Sequence, residues 1–157
     1  MPRDKDGLTG LYTEEFLKQD MDSEMSRARR FGRDLGLLLL EPILPEHVKT
    51  DMLYQVLKKL ARICESTTRQ VDSGIRWGQQ LLYVLPETSI EGVEVTSRKI
   101  SHQFHECSFT HQGTGEKIPG RLRRALAVFP GEIEEKEELL QSLRDNLKEV
   151  ALETANE

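Results

Sequence analysis

The sequence predicts an α+β domain built on a mainly antiparallel central sheet with flanking helices. Three observations predict it: an unbroken apolar run at residues 36–40, a hairpin-like spacing around residues 78–80, and apolar stripes at helical intervals along the chain. A half-exposed strand would alternate in polarity, whereas the run at 36–40 does not. We therefore expect residues 37–40 to form a central strand that is buried on both faces.

Four helices are predicted from apolar residues that recur every three or four positions. The first covers residues 13–32, the second residues 52–64, and the last residues 139–150. Thr88 and Glu91, three positions apart, have the form of a capping box, which marks the start of the third helix. Each stripe predicts a helix that packs one face against the sheet.

Strands account for most of the remaining apolar segments. Residues 70–77 and 81–85 flank a turn at 78–80, where a glycine suits a tight hairpin. Two further strands are predicted at residues 107–110 and 122–129. With the central strand and the two middle helices, the order becomes βαββαβ. This is the ferredoxin-like plan, an antiparallel sheet with helices on one face.

Length and composition limit what the chain can do. Its 157 residues fit one domain, which we place at residues 13–152 between a polar lead, 1–12, and a tail, 153–157. The net charge of −5, with both signs interspersed, disfavours binding to a nucleic-acid backbone. No apolar run approaches the roughly 20 residues that span a bilayer. Two cysteines are too few for a disulfide framework, so we expect a reducing, cytoplasmic location.

Six short segments follow the motif order of a known family. In chain order they are DGLTGLY (6–12), RARRFG (27–32), LLLLE (37–41), RQVD (69–72), LPET (85–88) and AVFP (127–130). They resemble the DxLTGLxN opening, the arginine-rich helix end, the strand that ends in a metal-binding Asp, the RxxD motif and two further landmarks of GGDEF domains, the bacterial diguanylate cyclases. The resemblance covers about residues 6–150 and implies a nucleotidyl-cyclase-type version of the ferredoxin-like fold.

The catalytic positions depart from the family pattern. In such cyclases, carboxylates from the first strand and from the signature hairpin hold divalent cations on a triphosphate. Here the strand position is Glu41, and Gly78 opens the segment where GGDEF should stand. The third signature position is Gln80 when counted forward from RxxD and Gln79 when counted back from the following proline, and neither is a carboxylate. We expect a degenerate, inactive site with no catalytic residue, metal or other cofactor.

The RxxD motif is intact. In the family it is an inhibitory site that binds the product, cyclic di-GMP, and a basic residue from the following helix completes it. Arg69 and Asp72 match the motif, and Arg98 and Lys99 stand at about the place of that basic residue. An arginine fork suits a phosphate or a guanine edge, and a carboxylate accepts from guanine donors. The alternative is an ordinary surface ion pair between Arg69 and Asp72, which stabilises little.

Two other features have structural explanations. His102, His105, Cys107 and His111 fall within ten residues, but they straddle a helix-to-strand junction, so no metal site is expected. Trp77 beside the hairpin is expected to pack rather than to stack on a guanine.

Two functions stay open for the chain. The resemblance implies an inactive signal-transduction domain that binds cyclic di-GMP, and the alternative is a protein-interaction or dimerisation module without a ligand. In both cases we expect a protein partner or self-association, and neither nucleic acid nor membrane as a partner.

Overall fold

The computed structural model of the protein describes residues 4–151. Five helices lie in this range: α1 Glu15–Gln19, α2 Met21–Phe31, α3 Glu46–Thr67, α4 Ile90–His105 and α5 Lys136–Asp145. Seven strands lie in the same range: β1 Leu35–Pro42, β2 Ser73–Trp77, β3 Gln80–Pro86, β4 Ser108–Thr110, β5 Lys117–Pro119, β6 Leu122–Phe129 and β7 Lys148–Glu149. The predicted tail and the first three residues of the predicted lead lie outside the described residues. None of the described helices is long and apolar enough to cross a bilayer.

The central strand of the main sheet is β1. The sheet has the order β2-β3-β1-β6-β7, and every neighbouring pair is antiparallel. The four leucines at residues 37–40 have no exposed surface, because β3 and β6 cover both edges of the strand and helices cover both of its faces. The predicted α+β architecture and the predicted central strand are confirmed.

Helices cover both faces of the sheet, not one. Leu38 and Leu40 belong to a core formed with α3 and α4, whereas Leu37 and Leu39 belong to a second core formed with α1, α2 and α5. Within the βαββαβ core, α3 and α4 lie on one face, as the ferredoxin-like plan implies, and the flanking helices α1, α2 and α5 cover the other face. A strand that is apolar on both faces needs a helical layer on each side.

The first predicted helix is divided in two. The helical hydrogen bonding is interrupted at Asp20, between the end of α1 and the start of α2. At this break the Leu17 carbonyl accepts a hydrogen bond from the Lys136 Nζ of α5 at 2.8 Å instead of from the helix backbone. α2 then ends as predicted at Gly32, whose φ of 63° is left-handed. Side-chain hydrogen bonding from a distant helix is not visible in the local sequence, so the interruption was not predicted.

The predicted hairpin joins β2 and β3. Trp77 pairs with Gln80, so the turn consists of Gly78 and Gln79. Gly78 has a φ of +66°, a conformation that glycine adopts at little cost. β2 begins at Ser73 rather than at residue 70, because Asp72 ends a turn that precedes the strand.

Three details of the second half differ from the sequence-based expectation. The last helix, expected over residues 139–150, is α5 and ends at Asp145, and Lys148–Glu149 pair with β6 as β7. Ser89, not Thr88, caps α4, since the Ser89 Oγ accepts a hydrogen bond from the Gly92 backbone N–H at 3.2 Å. β4 pairs with β5 in a separate two-stranded sheet and not with the main sheet. A strand of three residues is too short for its polarity pattern to show which sheet it joins.

The predicted lead packs on the domain from residue 4 onward. The Tyr12 backbone N–H donates to the Gly74 carbonyl at 2.9 Å, and the Arg76 N–H donates to the Tyr12 carbonyl at 2.8 Å, so this segment covers the outer edge of β2. Asp6 closes the preceding turn by accepting from the Thr9 N–H and hydroxyl at 2.9 and 2.7 Å. The lead segment therefore protects a sheet edge that would otherwise present unpaired backbone groups.

Candidate functional site

Glu41 and Gln80 meet at the end of the hairpin. The Gln80 Nε2 donates to the Glu41 Oε2 at 2.9 Å. The other carboxylate oxygen of Glu41 accepts from the Arg123 Nη1 at 3.1 Å, because Arg123 of β6 lies opposite Glu41 of β1 in the sheet register. Both carboxylate oxygens are therefore bound within the domain, one of them by a positive charge.

Arg144 of α5 fixes the same hairpin from its other side. Its Nε donates to the Gln80 Oε1 at 2.8 Å, and its guanidinium carbon lies 3.4 Å from the centre of the Trp77 ring. Trp77 also packs against the core beneath the sheet, in agreement with the predicted packing role. Glu41, Gln80, Arg123, Arg144 and Trp77 form a continuous network, which we call the hairpin network.

Sequence reasoning did not identify Arg123 and Arg144. Arg123 is 82 residues from its partner Glu41, and Arg144 is 64 residues from Gln80. The sequence predicts the strand of Arg123 and the helix of Arg144, but neither the register of that strand against β1 nor the packing of that helix on the hairpin. Of the two alternative hairpin positions, Gln80 is the one that contacts Glu41, whereas Gln79 lies in the turn.

Arg69 and Asp72 form a compact pair in the turn between α3 and β2. The Arg69 Nη2 donates to the Asp72 Oδ1 at 2.9 Å, and the Arg69 backbone N–H donates to the Asp72 Oδ2 at 2.7 Å. The Asp72 side chain is only 4% exposed, whereas the Arg69 side chain is 51% exposed. The turn that precedes β2 brings the two groups together.

The Arg69 guanidinium also contacts the connection between β3 and α4. Its Nη2 donates to the Pro86 carbonyl at 2.6 Å and to the Thr88 Oγ1 at 2.7 Å. Arg69 thereby links three segments of the chain: its own turn, the end of β3 and the start of α4.

Arg98 and Lys99 lie on α4, and the structure gives no contact of either with Arg69 or Asp72 among residues 4–151. The Arg98 Nη2 is 3.9 Å from the Glu94 Oε1, and Glu94 is also bound by Arg124 of β6. Arg98 therefore shares the flank of α4 that faces β6. Lys99 is exposed and four positions before Gln103, whose amide donates to the Thr67 Oγ1 at the end of α3 at 3.2 Å.

The histidines that lie close together in the sequence have separate partners in the structure. The His111 Nε2 is 2.9 Å from the Asp51 Oδ2, the His105 Nδ1 donates to the Gly120 carbonyl at 3.2 Å, and the His102 Nε2 is 3.5 Å from the Glu106 Oε1. In the described part of the chain, no group of three or more histidine, cysteine or acidic residues is arranged to hold a metal ion.

Two acidic groups in or near these surfaces have a lowered pKa. Burial alone would raise the pKa of Asp6, but hydrogen bonds from Thr9 and the Arg76 guanidinium outweigh it and lower the pKa below its usual value. Hydrogen bonds from Arg124 lower the pKa of Glu94. In contrast, burial raises the pKa of the Cys64 thiol to about 12, which keeps it neutral and unreactive.

The comparisons with known proteins identify this architecture. No protein-family model matches the chain. The diguanylate cyclase DgcP of Pseudomonas aeruginosa is 27% identical over 131 residues, which cover 80% of this chain but 19% of that protein. The chain thus spans about a fifth of the length of the curated relative that it matches.

Two solved structures have a similar fold. The GGDEF domain of FimX from Pseudomonas aeruginosa matches with a TM-score of 0.79 and 13% identity, covering 92% of this chain and 91% of that one. The GGDEF domain of DgcB from Caulobacter crescentus, in complex with c-di-GMP, matches with a TM-score of 0.75 and 18% identity, covering 92% and 89%. The structure defines an α+β domain of the nucleotidyl-cyclase type. Its fold is that of a GGDEF domain.

Proposed function

We propose that this GGDEF-like domain makes no cyclic di-GMP and instead acts as a receptor for it in signalling, with Arg69 as the principal ligand contact. Two of the proteins it resembles support the ligand class, since DgcP is a diguanylate cyclase and the DgcB domain was solved with c-di-GMP. The loss of catalysis and the binding of the ligand are supported by separate parts of the structure.

The hairpin network supports the loss of catalysis. Phosphoryl transfer on a triphosphate needs anionic groups that hold divalent cations, and a neutral amide is a weak substitute for a carboxylate. The hairpin presents Gln79 and Gln80, and Glu41 is the one carboxylate of the hairpin network. Because Arg123 neutralises Glu41 and Gln80 occupies its second oxygen, little negative charge is left for a cation at this position.

The single observation that carries the receptor proposal is that the Arg69 guanidinium is fixed on one side and unbound on the other within the described part of the chain. Asp72, Pro86 and Thr88 hold the Nε and Nη2 side of its guanidinium, whereas its Nη1 has no hydrogen-bond partner among residues 4–151. Half of the side chain is exposed. A fixed arginine fork with free donors binds a guanine edge or a phosphate with little ordering cost. In this arrangement Asp72 is too buried to contact the ligand and positions Arg69 instead.

A cavity that borders Pro86, whose carbonyl accepts from Arg69, supplies room for such a ligand. It measures about 320 Å³ and is bordered by Pro86 and Glu87 on one side and by Arg27, Phe31 and Arg33 on the other. Phe31 is 60% exposed, and an exposed aromatic ring suits stacking of a flat base. Arg27 and Arg33 already pair with the lining carboxylates Glu24 and Glu87, so the cavity contributes a stacking surface rather than net positive charge.

The test is a pair of matched substitutions assayed for cyclic di-GMP binding. Removing a charged hydrogen-bonding partner costs about 1.5–3 kcal/mol, so Arg69→Ala is expected to weaken binding at least tenfold. Arg121→Ala is the control, because Arg121 is 46% exposed and is bound by the Glu149 carboxylate in the same bidentate manner at the opposite end of β1. Equal affinities for both variants would contradict the assignment of Arg69.

The alternative function is a protein-interaction or dimerisation module that binds no ligand. One observation favours it: Arg69 already donates to three acceptors, so the pair has a structural role without any ligand. In the same turn Val71 is 62% exposed. A wild-type domain that self-associates or captures a partner but shows no affinity for cyclic di-GMP would establish this alternative.

A further inference from the structure

The connection between β3 and α4 holds Arg69 through one hydroxyl group. The Thr88 Oγ1 accepts from the Arg69 Nη2 at 2.7 Å and donates to the Pro86 carbonyl at 3.0 Å. A hydroxyl has one hydrogen and two lone pairs, so this arrangement uses its hydrogen on Pro86 and a lone pair on Arg69. Thr88 therefore closes a ring of hydrogen bonds with the Arg69 guanidinium and the Pro86 carbonyl.

Two neighbouring hydroxyl residues have different roles at the start of α4. Ser89 is the helix cap, since its Oγ accepts from the Gly92 backbone N–H. Thr88 is therefore not needed as the cap, although the sequence pattern suggested that role. Its hydroxyl faces Arg69 instead, which gives the threonine a function that helix formation does not require.

The backbone and the methyl group of Thr88 fix the direction of that hydroxyl. Glu87, the preceding residue, has a φ of +52°, which a residue with a side chain rarely adopts. Arg33 pairs with the Glu87 carboxylate, and the Thr88 N–H donates to the Asp34 carbonyl at 3.2 Å, so the turn is also held by the connection between α2 and β1. The Thr88 methyl lies against Gly92, where a side chain at residue 92 would collide with it.

We propose that Thr88 is a positioning residue for Arg69: its hydroxyl orients the guanidinium so that the free Nη1 donors face the ligand. The hydrogen bonds of Thr88 support its contact with Arg69, and the effect on ligand binding rests on the proposed receptor function. Thr88 itself does not contact the ligand. Ordering an arginine side chain on binding has an entropic cost, and preorganisation by Thr88 removes part of that cost.

The test compares Thr88→Val, which keeps the shape and removes the hydroxyl, with Thr88→Ser, which keeps the hydroxyl. We expect Thr88→Val to weaken cyclic di-GMP binding about two- to tenfold, and Thr88→Ser to stay closer to wild type. In an Arg69→Ala background, Thr88→Val is expected to have no further effect. Equal losses in both Thr88 variants, or a full additional loss in the Arg69→Ala background, would overturn the proposal. Thr88→Ala replaces Thr88→Val if the valine variant does not fold.

A second readout does not need the ligand. The Arg69 Nε–H resonance, identified by its loss in Arg69→Ala, is measured by NMR in each Thr88 variant. We expect it to shift or broaden in Thr88→Val and to be retained in Thr88→Ser, because the guanidinium loses one of its anchors only in the former. An unchanged resonance in Thr88→Val would overturn the positioning role. If the wild type binds no cyclic di-GMP, the receptor function fails, and this resonance alone decides whether Thr88 positions Arg69.

Discussion

The Gln80 amide donates to the Glu41 carboxylate across 2.9 Å and so joins the strand after the hairpin turn to the central strand. In active GGDEF domains, which the sequence resembles, carboxylates on the two corresponding strands hold divalent cations. Here a neutral amide, Gln80, pairs with the Glu41 carboxylate. The positive charges next to this pair come from Arg123 and Arg144 of the protein itself. The same contact explains why the hairpin is well fixed and why we expect it to be inactive.

The first prediction concerns catalysis. The purified chain, incubated with GTP and Mg²⁺ or Mn²⁺, is expected to form no cyclic di-GMP, because neither Gln79 nor Gln80 supplies an anionic ligand. Product is measured by chromatography, with an active diguanylate cyclase assayed in parallel as the positive control. Product formation that disappears in Glu41→Ala would show that Glu41 still supports catalysis.

The second prediction concerns the hairpin network. Arg144→Ala removes a charged hydrogen bond to Gln80 and the cation–π contact with Trp77, and is expected to lower the free energy of unfolding by about 1–3 kcal/mol. Urea denaturation measures this loss. Because the chain contains one tryptophan, its fluorescence reports Trp77 directly, and the emission of the folded state should change in the variant.

A suitable control for that measurement is Arg30→Ala. Arg30 is exposed, and its guanidinium lies 5.8 Å from the exposed Phe31 ring, so its loss should change stability by less than about 0.5 kcal/mol. Similar destabilisation by both substitutions would mean that the network around Arg144 has no special role in holding the hairpin.

The third prediction is a pH dependence that originates at Asp6. The folded protein lowers the pKa of this carboxyl through Thr9 and Arg76, so its ionised form stabilises the fold above the usual carboxyl pKa, and the benefit is lost as the pH falls through the lowered value. Asp6→Asn is expected to cost about 1–2 kcal/mol at pH 7. The difference from wild type should shrink steadily below pH 3.8.

Urea denaturation at several pH values checks this prediction, with Asp4→Asn as the control, since Asp4 is an exposed carboxylate two residues away. A difference between wild type and Asp6→Asn that stays constant from pH 7 to pH 3 would show that the Asp6 charge does not contribute to folding stability.

The elements that the sequence predicts well are those specified by local pattern. The run at residues 37–40 predicts β1 because a short, unbroken apolar segment is typical of a buried strand. Gly78 predicts the hairpin because glycine readily adopts the left-handed φ that the turn requires. The Arg69 and Asp72 pair is also visible locally, because the two residues are three positions apart.

The features that the sequence does not predict depend on contacts between distant segments. Arg123 reaches Glu41 only through the register of β6 against β1, and Arg144 reaches Gln80 only because α5 packs on the second face of the sheet. Thr88 has a hydroxyl that fits a capping box equally well, and only the position of Ser89 shows which residue caps the helix. Tertiary packing sets the register between strands. It also decides which of two adjacent hydroxyl residues caps a helix.

The most direct test of the receptor proposal is a calorimetric titration of the wild-type chain with cyclic di-GMP. We predict saturable binding in the micromolar range, about 8 kcal/mol, that weakens as salt is raised because charged groups on both sides are screened, and that GTP does not match at the same concentration. Absence of heat and of saturation at roughly several hundred micromolar ligand, about 5 kcal/mol or less, would contradict the receptor function of the Arg69 site.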